Sequence, residues 1–563
     1  MMRLLYVILV MICIIPTVPG LVGVIASAFS YVPPLNMHSF SLDGFNQAWS
    51  WSGVWTSIGL TFSTSLISLM MTVIATFSIL SSTWGQKFWK RLEASLSPML
   101  AIPHVAFTIG LAFLLSPTGM IARILEPVLS NDIFSWLVRD PIGLGLILAL
   151  TLKEIPFLLL MSIPILKQLN VEQSRKVAYS MGYDSKAFWW KCILPQWLEK
   201  IRFPLIAIIA FSASVVDVSL IIGPTNPPTF AVLVFQWFNE PDLSLVPRAA
   251  AGAFILFVVC TALIFIIRGL EWLLLKYFRT WQFSGRFAPA LPGKSTAALL
   301  GTLFIATFLV MSVWSVAQRW RFPDLMPSSS TLRFWMTEWP NITPVIADSL
   351  NLALISGTIA LLLAIIAQEY RIEHRRALPT YVIAIPMLVP QLSLLFGMQV
   401  STLYLNSEFY YIWVVWSHVF FAFPYVYLSL DGPWRSFNQS YIYTANSLGK
   451  SPRQAWFKVK LPQLYSAVLF AWAIGASVSL AQYLPTLMLG NGRISTLTTE
   501  AVALASGYDR RITAIYAIWQ TLVPFFVFAA IMLINRQHSI RIKTKGITIS
   551  HESVSEQPHH IKN

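Results

Sequence analysis

Two stretches of this chain read almost alike. Val177-Ala178-Tyr179-Ser180-Met181-Gly182 is followed, nine residues on, by Cys192-Ile193-Leu194-Pro195, and Thr444-Ala445-Asn446-Ser447-Leu448-Gly449 is followed, again nine residues on, by Val459-Lys460-Leu461-Pro462. The glycines stand 267 residues apart, as do the prolines, Gly223 and Gly490, and Thr229 and Thr496. Upstream, Pro103 and Gly110 pair with Pro390 and Gly397 at an offset of 287, a difference matched by a longer outer loop at 117–141. One such match in an apolar sequence carries little. Two at the same place with coincident flanks argue for a duplicated unit.

Each stretch predicts the same local shape. Gly182 and Gly449 end a short helix and permit a left-handed cap. A second short amphipathic stretch follows, Ser185–Lys191 or Pro452–Lys458, and Leu-Pro redirects the chain (Leu194-Pro195, Leu461-Pro462). The result is an elbow in each half, at 172–196 and 439–463. Ala178 and Ala445 are small enough for another surface to approach closely, and Trp189 and Trp456 are rigid apolar anchors of the interface type. A loop lying on anionic lipid would explain the lysines alone, but not a fixed Gly-to-Pro spacing occurring twice.

Around the elbows the chain is apolar. Of 563 residues 56% are hydrophobic and 11% charged, with mean hydropathy +0.65. A soluble protein carries about 25% charged residues, so a string of soluble domains is excluded, and so is disorder. Twelve stretches suit about 20-residue helical spans: 4–28, 54–81, 96–116, 142–166, 202–223, 249–272, 296–316, 346–368, 381–402, 411–430, 465–488 and 513–535. Barrel strands would alternate instead. The expectation is an all-α polytopic membrane protein with six helices per half, and an even number per half keeps the two repeats parallel. The units are a first repeat at 1–280 (core 53–270), a linker at 281–295, a second repeat at 296–536 (core 345–535) and a polar tail at 537–563. Arg3 and Ala26-Ser27-Ala28 suit a cleaved signal peptide, yet the apolar run is too long for one and Pro16 and Pro19 interrupt it, which favours a retained span.

Charge sets the orientation. There are 39 Lys+Arg against 24 Asp+Glu, a formal +15. With the N-terminus inside, 29 of the 39 basic residues fall in inner segments and nine in outer loops, with Lys153 inside a span. The positive-inside rule then places both termini and both elbows in the cytoplasm of a bacterial inner membrane protein. Nucleic-acid binding would need the cations on one face, and they come in short runs between spans. Cys13, Cys192 and Cys260 are isolated and suggest neither disulfide nor metal.

The spacing E-A-A-x-x-x-G, nine residues, I-x-L-P marks permease subunits of binding-protein-dependent ABC importers, and both stretches resemble it. The acidic position is Lys176 or Tyr443, the next is Val177 or Thr444, and the isoleucine is Cys192 or Val459; the second Ala, the Gly and the Leu-Pro hold in both copies. The departures remove any ion pair made through that acid. The resemblance spans essentially the whole chain and implies the type I permease fold. In that family the elbow docks on a cytoplasmic ATPase, so it implies two copies of an ABC ATPase and a periplasmic substrate-binding protein as partners. Fused permeases of this kind resemble the ferric-iron and thiamine importers, which implies a small cationic cargo. The run from Ser214 to Asp217 and on through Gly223-Pro224-Thr225-Asn226-Pro227-Pro228 resembles an orphan fused permease type of enterobacteria.

Gly293-Lys294-Ser295 and Gly449-Lys450-Ser451 imitate a phosphate loop, but the Gly required five residues before Gly-Lys is Ala288 or Thr444. The chain is therefore expected to be no enzyme and to bind no cofactor, with ATP used by a separate subunit. Polar residues within spans are functional candidates: Asp217, His104, Gln391 and Gln482 are the candidates for the translocation pathway. Asp217 reads equally well as a buried, paired carboxylate. Lys153 and Glu154, adjacent on one helix, point in different directions and read as packing. His104 has no second ligand at metal-binding spacing. The rival reading is a self-powered secondary transporter or channel using Asp217 or Glu154 as a proton relay, which gives no reason for twin elbows.

Overall fold

The structure is a computed structural model that describes residues 2–15, 17–126, 137–403, 407–507 and 509–555. Among them the sheet is a single two-stranded hairpin, Ala317–Arg319 with Ser329–Ser330, and the remaining long elements are helices. Nine helices among the described residues are long and apolar enough to cross a membrane, from Val54–Thr83 to Arg510–Gln537, and the pair Val382–Leu388 and Gln391–Thr402, bent by 105°, makes ten. This is an all-α polytopic membrane protein, with fewer unbroken spans than the twelve expected.

The shortfall has a local cause. The first expected span is two helices, Met2–Ile14 and Thr17–Ala28, and the fifth is Arg202–Ser214 followed by Asp217–Ile222. The third begins at His104, after a separate helix Lys87–Ala101. Ile102 and Val389 precede prolines and are extended, with ψ 121° and 135°, as the clash with the proline ring requires. Val215 and Gln482 take the same form, ψ 128° and 126°, with no proline after them. Hydropathy records how apolar a stretch is and not whether its helix is continuous. Part of the outer loop 117–141 and the last residues of the tail lie outside the described residues.

The offsets seen in the sequence return element by element. Ser185–Phe188 is matched by Pro452–Ala455, and helices end at Ser214 and Ala481 and restart at Asp217 and Leu484, each 267 residues on. His104–Leu115 and Gln391–Thr402 are related by 287. The paired glycines of this second set mark helix crossings between the N- and C-terminal parts. Thr17–Ala28 lies along Gln391–Thr402 so closely that a Cβ on Gly23 would stand 2.9 Å from the Gly397 carbonyl oxygen. Gly293–Val316 lies along His104–Leu115, where a Cβ on Gly110 would meet the Thr307 Cβ at 2.8 Å. Small residues at such crossings are how membrane helices approach. Each part thus lends its opening helix to the other, and one buried cluster runs through both.

The hairpin closes one end of the bundle. Arg123, buried, donates to the carbonyls of Thr118 (3.1 Å), Arg321 (2.6 Å) and Asp324 (2.5 Å), and Arg511 reaches the Gln318 carbonyl. Gly293–Val316 leads from the first elbow to this hairpin, and Arg333–His374 leads back to the second. Both elbows therefore stand at the opposite end.

Candidate functional site

The elbows begin with the same helix cap. In the first, helix Val171–Ser180 ends as the Tyr183 N–H donates to the Ala178 carbonyl and the Gly182 N–H to the Tyr179 carbonyl, both at 3.0 Å. In the second, Lys450 donates to Ala445 (3.1 Å) and Gly449 to Asn446 (3.0 Å). These are the paired bonds of a left-handed helix terminus, and they need the positive φ that Gly182 (79°) and Gly449 (80°) adopt. A capped single turn follows: Asp184 accepts from the Ala187 N–H at 2.8 Å, and Ser451 and Gln454 form a capping box. Then comes a feature the sequence reading lacks, a π-helical turn at Trp189–Ile193 and again at Trp456–Lys460. It runs into Leu194-Pro195 and Leu461-Pro462, which open the next helices. Proline has no N–H to offer the turn before it, and the Lys191 carbonyl instead accepts from Gln282 Nε2 at 2.9 Å.

The expected outward anchors face inward. Trp189 is 4% exposed and packs edge-on to Phe77, while Trp456 is half-buried; Ala178 and Ala445 are buried too. Both tryptophans stand at the start of the π turn and follow buried residues, Ala187 and Phe188 before Trp189 and Ala455 before Trp456. They hold each elbow to its own chain. What faces out is Val177 and Met181 on the first elbow (60% each) and Tyr443, Leu448 and Phe457 on the second.

Residues without any motif complete the fastening. Lys191, buried, donates to the carbonyls of Trp281 (3.1 Å), Ser284 and Gly285 (2.7 Å) at the end of helix Val246–Phe283. At the second elbow Glu369 accepts from the indole N–H groups of Trp434 and Trp456, both at 2.9 Å, and pairs with the Lys460 ammonium at 2.7 Å. Cys192 sits half-buried at the first elbow, and burial pushes its thiol pKa above the usual range.

The four pathway candidates all lie at helix breaks: His104 and Gln391 start the helices after Pro103 and Pro390, and Asp217 and Gln482 flank the breaks at 215 and 482. Three acid–base groups of the N-terminal part converge. His104 Nε2 lies 3.3 Å from Glu154 Oε1, its side chain 35% exposed, and Asp217 is within electrostatic reach of His104. From the C-terminal part, Tyr425 lies within electrostatic reach of Glu154 and Tyr483 of Asp217. Glu154, read from the sequence as packing or, in the rival reading, as a proton relay, joins this group through His104. Lys153 turns away, to the carbonyls of Met99, Leu100 and Ile102 that the break at Pro103 leaves free. Gln482 belongs elsewhere, donating to the His418 carbonyl at 3.4 Å beside a buried network of His418, Ser479 and Thr486. Gln391 holds, in the C-terminal part, the place His104 holds in the N-terminal part.

No family model and no solved structure matches the chain. Curated relatives do. The inner membrane ABC transporter permease protein YnjC of Escherichia coli (strain K12) is 31% identical over 490 residues, covering 84% of this chain and 87% of its own. A spermidine/putrescine transport system permease protein PotC homolog of Mycoplasma genitalium is 23% identical over 232 residues, 40% of this chain and 79% of its own. With ten helical segments able to span a bilayer and this likeness along most of its length, the chain belongs to the ABC transporter permease family of multi-pass inner membrane proteins.

Proposed function

We propose that the chain is the translocating subunit of an ATP-driven importer, made of two parallel permease repeats (1–280 and 296–536, joined by 281–295) whose elbows are docking points for two copies of a separate ABC ATPase. The observation that carries this is the twin elbow: the same cap, single turn and π turn, built twice at one end of the bundle with apolar side chains outward. A binding protein delivers cargo at the hairpin end, and both termini lie with the elbows in the cytoplasm. Closure of the ATPases moves both elbows together and tilts the two repeats between inward- and outward-open forms; ATP is used on those subunits and none is bound here. Coupling of this kind needs an element whose two states both ends bias, and the broken helices between elbow and hairpin supply it.

The cargo passes between the repeats at the level of the breaks. Broken helices at mid-membrane are where transporters place substrate, and the acids Asp217 and Glu154 with His104 there favour a cation. The spermidine/putrescine named for the PotC homologue is cationic as well. The test of coupling is the double variant Gly182→Val with Gly449→Val. A β-branched residue is strained at these φ values, so ATPase co-purification is expected to disappear while membrane insertion stays normal. Undiminished ATPase in the double variant contradicts the elbow assignment, and uptake driven by an ion gradient with no ATPase present favours the self-powered alternative.

A further inference from the structure

The two elbows are built alike but covered differently, and the linker makes the difference. Ser284–Pro292 runs across the first elbow. Arg286 Nη2 donates to the Met181 carbonyl at 2.8 Å, and the guanidinium lies over the Tyr183 ring. It is so close to the cap that a Cβ on Gly182 would meet Nη1 at 2.7 Å. Trp190 Nε1 donates to the Pro289 carbonyl at 3.0 Å, and Ser82 Oγ to that of Leu291 at 3.1 Å. With the Lys191 contacts to Ser284 and Gly285, the segment is pinned at both ends and in the middle. At the second elbow the space beside Gly449 is open among the described residues, with none of their heavy atoms within 4 Å of a Cβ placed there.

This segment is not merely a cover. Next to Arg286, which bonds the Met181 carbonyl, it carries Phe287, 78% exposed. The second elbow makes its apolar outer face from its own Tyr443, Leu448 (75% exposed) and Phe457, whereas the first shares that role with the linker. Both elbows carry exposed cations, Lys450, Arg453 and Lys458 on the second. On the first elbow Glu172 is paired with Arg175 and Asp184 is engaged in its cap, which leaves Lys176 and Lys186 exposed and Arg286 beside them.

We propose that Ser284–Pro292 is a fixed strap that forms part of the first ATPase docking face, Phe287 entering the apolar contact and Arg286 answering a carboxylate on the partner, so that the two ATPase positions are chemically different. The occupant is the ATPase subunit: the strap is bonded to the elbow, and the exposed Lys176, Lys186 and Arg286 beside exposed apolar side chains match an acidic protein surface. This rests on the coupling reading above. A photo-crosslinking residue placed at Phe287, and separately at Leu448, in the full-length chain in native membranes with its ATP-hydrolysing subunit separates the two claims. Both positions are expected to crosslink to that subunit. Crosslinking from Leu448 alone, or from Phe287 to lipid only, overturns the strap and leaves the elbows standing; crosslinking from neither overturns the coupling reading and the strap with it. As a second measure, Arg286→Glu is expected to lower ATPase retention at least about fivefold, while Arg279→Glu, exposed on the helix before the strap, leaves it unchanged. Equal effects of the two reversals contradict the role of Arg286.

Discussion

Glu369 gathers the bonds that fasten the second elbow. Its carboxylate joins two indoles and the buried Lys460 ammonium, and truncating one member of such a pair leaves the other charge unmatched, at about 3–5 kcal/mol. Glu369→Ala is expected to lower the melting temperature in detergent clearly, whereas Glu369→Ala with Lys460→Met recovers most of it, because an apolar replacement removes the stranded charge as well. A double variant no better than the single one contradicts the pairing. The glycines are separable in the same way. Alanine at either costs about 1–2 kcal/mol for the left-handed backbone, but only at Gly182 does it also displace Arg286. Gly182→Ala is thus expected to weaken ATPase retention more than Gly449→Ala, and the reverse order contradicts the contact. At this scale the sequence was legible where backbone geometry demands one residue type, as at the two glycines and the Leu-Pro pairs. Lys191 and Glu369 left no mark, because their partners lie 65 to 94 residues away and a lone charge at a helix end looks like any other.

The elements divide similarly. Apolar length disclosed the spans, and the repeat offset disclosed their pairing. The breaks at Pro103 and Pro390 were available in principle from proline alone, whereas those at 215 and 482 were not, since nothing in Ser214-Val215-Val216 forbids a helix. The inward turn of Trp189 was hidden because the ring it packs on, Phe77, belongs to a helix distant in the sequence. The proposed pathway lies at these breaks. Asp217 opens a helix, its Oδ1 accepting the Val218 N–H at 2.9 Å, within electrostatic reach of the part-exposed His104 that meets Glu154. Asp217→Asn keeps the shape and the acceptor and removes the charge. It is expected to reduce uptake while membrane abundance stays at the wild-type level. Lost abundance instead assigns Asp217 to packing.

For the whole molecule the +15 is an arrangement and not a sum. The 29-to-9 sorting of basic residues agrees with the position of both elbows at one end of the bundle, opposite a hairpin held by Arg123 and Arg511. A fluorescent protein fused to the C-terminal end is expected to fluoresce and alkaline phosphatase at the same point to be inactive; the opposite pattern reverses the sidedness and removes the elbows from any ATPase. The central claim is that one chain supplies two docking points for a subunit that burns ATP elsewhere. Native mass spectrometry of the complex purified from its own membranes through a tag on this chain tests it most directly. The expected result is one permease chain with two copies of an ATP-hydrolysing subunit, both lost in the Gly182→Val, Gly449→Val variant. A chain that purifies without such a subunit, or a variant that keeps both copies, contradicts it.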